Sequence, residues 1–409
     1  MKYVVIGASA AGVNGIRELR KLDSECEIVL ISKDKNIYSR CILHHYLGGI
    51  RNTEELNFAE KNFEELYKIE WIRGVACTGV ETKDKKVTLE DGREVFYDKL
   101  LIATGSGTFI PPITNLKDAG NVIGFRNIED IECLKEAVKT KKKFLVIGAG
   151  LVGIDCVSGL LELGAEITLL EMGEWMLCKQ LDEKAAKVYQ KAFEKKGVVQ
   201  HYGVKVKEAV LNEEKEVTAV ILEDGTKIEC EYVVVAAGVK SNIDFLEGSG
   251  ILTTKAGLVF DETGKTSDDN VYGAGDVSGM RPIWPVAVKE GIVAAGNMVG
   301  VENKQTDFFA SKATMNFLGI PSMSLGDVNP DPKTCSMEVK ETETSYKMIA
   351  HKEGKIIGAI LQGDLAYGGI LQQLIANKID ISKVKKPVFD IDYSDFFRMD
   401  RNFEFYYED

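Results

Sequence analysis

The sequence contains no Cys-x-x-Cys pair and no cysteine–histidine spacing of the kind that holds zinc. It has four histidines and three tryptophans in 409 residues. No apolar run approaches the roughly 18 residues needed to cross a bilayer, so no membrane span is expected. Basic residues are outnumbered: 51 Lys and Arg against 63 Asp and Glu leave a net charge of −12, which argues against a nucleic-acid surface. The cysteines at 26, 41, 77, 133, 156, 178, 230 and 335 are scattered, which fits a reducing cytoplasm better than a disulfide framework. Most read as small buried hydrophobes, Cys156 and Cys230 most clearly.

What is present describes a soluble chain of two or three domains, 45% hydrophobic and 28% charged. The opening MKYVVIGASAAG has the basic residue and apolar stretch of a signal peptide. It is short, and its glycines at 7 and 12 fit a different motif. Two segments share one pattern, residues 2–32 and 142–171. Each gives an apolar run, a glycine turn, a helical stretch and a second apolar run, which is a βαβ unit.

The second unit carries a full G-x-G-x-x-G at Gly148, Gly150 and Gly153, with Leu151 and Val152 in the first turn of the helix. Gly148 permits the turn, Gly150 lets backbone approach a pyrophosphate, and Gly153 lets helix pack on strand. The phosphates belong at the helix N-terminus, where free N–H groups and the dipole favour anions. Glu171 ends the second strand. A carboxylate there accepts from a ribose 2′-OH and repels a 2′-phosphate, so NADH is favoured over NADPH.

The first unit is degenerate: Gly7, Ala8, Ser9, Ala10, Ala11, Gly12, with Ser9 in place of the middle glycine. Its strand closes at Ser32, Lys33 and Asp34. Asp34 is the candidate for a ribose, with Ser32 as the alternative. Two further strands end in small residues, DKLLIATGS at 98–106 and NVYGAGDVSG at 270–279. Ala103, Thr104, Gly105 and Gly275 leave room for a ligand against backbone. Asp276 is placed to accept from its hydroxyls.

This order of motifs resembles the FAD-dependent pyridine nucleotide–disulfide oxidoreductases over residues 1 to about 302. The resemblance implies FAD on the first unit and NAD(H) on the second, with the NAD domain inserted into the FAD domain. The fold expected is α/β: two Rossmann-like dinucleotide-binding domains plus a small α+β C-terminal domain. The FAD domain would comprise 1–110 and 238–304, the NAD(P) domain 111–237 and the C-terminal domain 305–409. Ala103, Thr104, Gly105, Gly275 and Asp276 would contact FAD. Cys77 falls near the adenine, where the family usually has valine. Asp155 falls where the family commonly has Glu, bordering the nicotinamide route with Gly238.

NIYSRCILHHYLGG, residues 36–49, decides the branch. The family's Cys-x-x-x-x-Cys of dithiol reductases is absent. Tyr38, Arg40 and Leu43 resemble NADH:rubredoxin reductases and the NADH-oxidising part of nitrite reductases. So does RPIWPVAVKEGIVAAGNMVG at 281–300, with Trp284 entering a helix from Pro285 to Met298 aimed at the flavin. Cys41, Leu43, Tyr46, Gly48 and Gly49 instead resemble the single-cysteine CoA-disulfide reductases and NADH oxidases. In that motif His44 and His45 replace Pro and Tyr. Ser39 can cap a helix from Arg40 to about Leu47, placing Cys41 in its first turn. Helix N-terminus and Arg40 would then lower the thiol pKa, with His44 and His45 in reach as proton donors.

Residues 347–364 read as a hairpin turning at Glu353–Gly354, and 367–380 as a helix. In this family such a domain forms a homodimer interface or covers the flavin. The aromatic, acidic tail 393–409 is expected to pack on its own chain or on a dimer mate. The expectation is an NAD(P)H-dependent flavoprotein oxidoreductase. It would pass hydride from NADH to flavin N5, then electrons to rubredoxin, a related carrier or a small-molecule acceptor. The rival is CoA-disulfide or persulfide reduction, or NADH oxidation, using Cys41. No metal is expected.

Overall fold

The computed structural model describes residues 1–280, 282–305 and 312–407. Two five-stranded parallel sheets form its centre. One runs in the order Val271–Gly273, Lys99–Ile102, Lys2–Ile6, Glu27–Ser32, Glu70–Arg73. The other runs Val199–His201, Glu166–Leu170, Lys143–Ile147, Tyr232–Val235, Val122–Ile123. Both middle strands are continuous apolar runs, YVVI and FLVI, as strands covered on both faces must be. The two sheets are thus the Rossmann-like cores expected from the repeated pattern.

Helix α1 (Ala10–Leu22) follows the first strand, and the short helices α2 (Leu43–Leu47) and α3 (Phe63–Tyr67) follow the second. Helix α4 (Ile128–Ala137) leads into the second sheet, α5 (Leu151–Glu162) follows its central strand, and α6 (Glu183–Lys195) completes its outer layer. Helix α7 (Trp284–Val299) returns to the first sheet and packs tightly on α1: a Cβ on Gly291 would lie 2.2 Å from the Ala11 carbonyl. Ser106–Thr108 leaves the first sheet and pairs antiparallel with the returning Val239–Ser241.

The C-terminal residues build an antiparallel five-stranded sheet in the order Lys312–Phe317, Ile320–Gly326, Lys355–Gln362, Tyr346–Lys352, Ser336–Glu341. Glu353 and Gly354 turn its hairpin with φ of 50° and 73°, the paired positive values of a two-residue turn. Helix α8 (Gly368–Ala376) covers one face; it stops four residues before the sequence pattern suggested. The other face sits on α6. The Tyr189 hydroxyl donates to the Ile320 carbonyl (2.6 Å) and lies within hydrogen-bond distance of Ser322 Oγ (2.8 Å), and Gln362 Nε2 donates to the Ala185 carbonyl (3.2 Å). Phe396, near the start of the tail, is buried in this domain's own core beside Ile391, which precedes the tail.

Candidate functional site

Glycine fixes both turns. At Gly7 φ is +116°, and a Cβ there would lie 2.1 Å from the Ala103 carbonyl oxygen. One on Gly12 would lie 1.9 Å from the Gly7 carbonyl. Only glycine accommodates such approach. The second unit repeats the geometry. Gly148 has φ of +107° with the Ala236 carbonyl 2.5 Å away, and a Cβ on Gly153 would lie 1.9 Å from the Gly148 carbonyl. Gly150 differs: a Cβ there meets no atom within 4 Å. That open floor lies at the N-terminus of α5, beside the unpaired amides of Leu151 and Val152. Ser9 occupies the equivalent N-cap of α1, with Ala10 and Ala11 in its first turn. Neither first turn holds an acidic side chain to compete with phosphate. Glu171 accepts from the amides of Ala149 (2.6 Å) and Gly173 (2.6 Å), which locks strand end to glycine turn. Both turns therefore fit a dinucleotide.

Around the first unit the structure brings distant residues together. Asp34 Oδ2 accepts from Arg40 (2.7 Å) and Oδ1 from the Tyr38 hydroxyl (3.2 Å). The Ser32 hydroxyl is buried, donating to the Asp34 carbonyl (2.6 Å) and accepting from Trp71 Nε1 (2.8 Å). Of the two ribose candidates, Ser32 is thus buried and Asp34 partly exposed, while Lys33 is exposed. Thr104 and Gly105 are tied to Asn242, and Gly238 accepts from the Phe109 amide. Gly275 donates to Glu290 (2.7 Å). Trp284 opens α7 and meets Phe58 edge-on, centroids 4.7 Å apart. Cys77 lies half-buried at a strand start, its thiol pushed up to about 11 by burial.

Sequence reasoning missed Arg126. Its Nη2 donates to Asp276 Oδ2 (2.6 Å) and to Ser106 Oγ (2.9 Å), and its Nε to the Ser106 carbonyl (3.1 Å). Neighbouring Asn127 accepts from Arg40 (3.3 Å). The Asp130 carboxylate, one turn on in α4, holds both backbone amides. The sequence signal was present: R-N-I-E-D sets a fixed arginine just ahead of a capped helix.

The 36–49 element departs from expectation. The helix starts at Leu43, not Arg40; residues Arg40–Ile42 form a 3₁₀ turn and Ser39 makes no side-chain cap. The cause is local. The Ser39 amide is held by the Leu56 carbonyl and Arg40 by Asp34 and Asn127, so this stretch is not free to join the helix. Cys41 consequently has no helix N-terminus beneath it. Its thiol is pushed up, not down: surrounding protein desolvates it and Asp155 repels its anion, outweighing Arg126. Water still reaches Cys41. These surroundings disfavour the low-pKa thiolate that the local sequence suggests.

His44 and His45 project from α2 with rings 4.2 Å apart, edge to face. Burial, then repulsion from His45, holds His44 down to about 4. Burial and Arg51 lower His45. His44 Nδ1 lies 3.3 Å from Asp155 Oδ1. Desolvation pushes the Asp155 carboxyl up to about 8, while water reaches 22% of its side chain and relieves part of that penalty.

These shifts set opposite pH dependences. From 3.8 to about 8 the folded chain binds the Asp155 proton and the unfolded chain does not, so this group's contribution falls with rising pH. From about 4 to 6.5 the unfolded chain holds the His44 proton and the folded chain does not, so stability rises. The two offset below 6.5, and Asp155 acts alone from there to about 8. Wild type is expected to lose at most about 2 kcal/mol relative to Asp155→Asn over that interval. Urea unfolding of both proteins at the two ends reads this directly. Equal changes in midpoint would mean an ordinary carboxylate at 155.

Among the described residues no group of His, Cys, Asp and Glu is arranged for a metal, and no helix is long and apolar enough to cross a membrane. A family model described as pyridine nucleotide-disulphide oxidoreductase matches residues 1–291, and one described as rubredoxin NAD+ reductase C-terminal domain matches 312–379. The assimilatory nitrate reductase electron transfer subunit of Bacillus subtilis is 28% identical over 400 residues, 95% of this chain and 51% of that protein. The chain thus spans about half the length of that relative. The NADH-rubredoxin oxidoreductase of Clostridium acetobutylicum is 26% identical over 380 residues, 91% of this chain and 94% of that one. The crystal structure of NADH:rubredoxin oxidoreductase from Clostridium acetobutylicum superposes with a TM-score of 0.76 at 23% identity, covering 94% of this chain and 97% of that one. FAD and NAD(H) are the cofactors of this class, and the structure has a glycine turn to receive each. Matched over most of its length and built on the same paired sheets, the chain belongs to the pyridine nucleotide-disulphide oxidoreductase family.

Proposed function

We propose that this protein is an NADH-dependent flavoprotein reductase that delivers electrons to a small redox protein of the rubredoxin type. The observation that carries the reading is the state of Cys41. Its surroundings raise the thiol pKa, so the thiolate that would have to attack a disulfide, persulfide or peroxide is disfavoured. Electron transfer to an external acceptor needs no thiolate. The names of the relatives and the match of residues 312–379 support the same acceptor class. The CoA-disulfide alternative requires a nucleophile that this site does not favour.

In this reading residues 1–110 with 238–304 hold FAD, 111–237 hold NADH, and 305–409 form the third domain. Bound FAD supplies a hydride acceptor at N5 that can release electrons singly. The chain's part is to bind and orient. The α1 and α5 N-termini hold the two pyrophosphates through backbone amides. Asp34 and Asp276 accept from FAD hydroxyls, and Glu171 accepts from the NADH ribose and repels a 2′-phosphate. Arg126 holds the Asp276 carboxylate in place. The N-terminus of α7, entered by Trp284, favours negative charge on the flavin side. All cysteines are free, which fits the cytoplasm.

Replacing Cys41 by Ser tests the reading. NADH-driven reduction of a rubredoxin is expected to persist in the variant. Loss of that activity, with FAD still bound, would transfer the chemistry to the thiol. So would a thiolate-to-flavin charge-transfer band in the wild type.

A further inference from the structure

Helices α2 and α5 meet along one stripe. Asp155, Gly159 and Glu162 recur at i, i+4 and i+7 on α5, one face of the helix. A Cβ on Gly159 would lie 3.0 Å from the His44 carbonyl and 2.9 Å from Leu47 Cδ2. One on Gly48 would lie 3.1 Å from Glu162 Cβ. The seam is closed to larger side chains, and this contact sets His44 Nδ1 3.3 Å from Asp155 Oδ1. That ring nitrogen is shut off from water and makes no hydrogen bond, although 19% of the side chain is exposed elsewhere. A buried polar atom left without a partner costs about 1–3 kcal/mol, so one aimed at a carboxyl invites a role.

The pair also has a place. Asp155 lies two residues past Gly153, on the helix that would hold NADH. His44 lies four past Arg40, which pairs with Asp34 on the FAD side. Cys41 feels the charges of Asp155, Arg126 and Asp276 together, so the pair borders both cofactor regions.

We propose that His44 and Asp155 form a proton-exchange pair that carries to solvent the proton NADH leaves behind. The inference rests on the function proposed above. NADH gives up two electrons and one proton as hydride, becoming NAD+. Acceptors that take one electron each carry off the two electrons and no proton. One proton per NADH must therefore leave the site. The Asp155 carboxyl binds it as an O–H, passes a proton to His44 Nδ1, and the imidazole releases one from its other nitrogen to water. At each centre one bond to hydrogen forms as one breaks; Asp155 returns to its starting state, while the imidazole is left as its Nδ1–H tautomer and must turn its ring over before the next turnover. A neutral imidazole suits this role because it accepts at one nitrogen while donating at the other.

The groups facing the pair are few. His45 stacks on His44, Cys41 and Cys156 lie near Asp155, and Arg51 acts on His45. Glu162 lies further along the seam. Glu132 and Lys135 of α4 engage Tyr46 instead.

The test uses FAD-loaded protein, wild type and Asp155→Asn. Histidine-ring ¹⁵N resonances are followed with pH, His44 being assigned by its loss in His44→Gln. Wild-type His44 is expected to report an alkaline step, from Asp155 ionising, that is missing in Asp155→Asn. NADH oxidation with ferricyanide, a one-electron acceptor, is expected to show a limb at the same pH. Asp155→Asn should lose that limb and slow roughly tenfold or more, as loss of a general acid–base group does. A wild-type ring without the alkaline step, or a variant with an unchanged pH profile, overturns the pair. If Asp155→Asn does not fold, the His44→Gln profile decides in the same way. Failure of NADH to bleach wild-type flavin overturns the proposed function and the pair together. Bleaching followed by normal turnover in both variants overturns only the pair.

Discussion

Gly150→Ala is expected to lose NADH binding without losing stability, while Gly153→Ala loses both. The two positions lie three residues apart in one motif, yet the structure treats them differently. A Cβ on Gly150 meets nothing within 4 Å, and its φ of −77° suits any residue. Nothing in the protein resists the methyl group; only a ligand lying against that backbone would. On Gly153 the same methyl would lie 1.9 Å from the Gly148 carbonyl oxygen and 3.0 Å from its carbon. Backbone cannot yield as a flexible side chain does, so α5 must lift from its strand. Overpacking of this kind costs about 1–3 kcal/mol or more. Lifting α5 also withdraws its N-terminal amides and opens the seam to α2. NADH affinity is expected to fall roughly tenfold or more in Gly150→Ala, a loss of about 1.4 kcal/mol or greater. Calorimetric titration with NADH and thermal unfolding separate the two effects. A Gly150→Ala protein that binds NADH as wild type does would mean that the dinucleotide lies elsewhere.

Those glycines were legible because a βαβ turn is local. Strand, turn, helix N-terminus and strand-end carboxylate all fall within residues 143–171, and each position has one physical reason for its residue type. The paired parallel sheets follow from that repeated pattern, and the C-terminal hairpin from Glu353–Gly354. The environment of Cys41 was not legible. Local sequence offered Ser39 as a cap and Arg40 as a neighbouring cation, both favouring a thiolate. The folded chain instead ties Ser39 to Leu56 and turns Arg40 toward Asp34. It also brings Asp155 close from α5, the helix that follows the central strand of the second sheet. Arg126 was hidden for the same reason: its partner Asp276 is 150 residues away in sequence. Motifs reveal where a backbone turns to meet a ligand. They do not reveal which distant charge will face a thiol or a carboxylate.

Arg126→Ala is expected to give a protein that is purified largely without flavin. Asp276 and Arg126 are only 16% and 17% exposed, and the 2.6 Å bond between them is reinforced through Ser106. Removing one member of a buried pair leaves the other uncompensated, at a cost of about 3–5 kcal/mol. Here the stranded charge would be the carboxylate proposed to receive FAD, so the penalty falls on the site itself. It can be relieved only by hydration or by a shift of the 275–278 turn, and either displaces Asp276. The loss also frees the Ser106 carbonyl and loosens the start of α4 against the crossing strands. Arg126→Lys retains a charge but not the fork that reaches Ser106 and Asp276 together, so it should restore part of the flavin content. Asp276→Asn removes the proposed FAD acceptor itself and leaves Arg126 unpaired, so it is expected to hold flavin no better than Arg126→Ala. Flavin-to-protein absorbance ratio after purification, and the FAD concentration that restores it, measure all three. Full flavin content in Arg126→Ala would mean that Asp276 is aimed by the backbone alone and that the arginine serves only the fold.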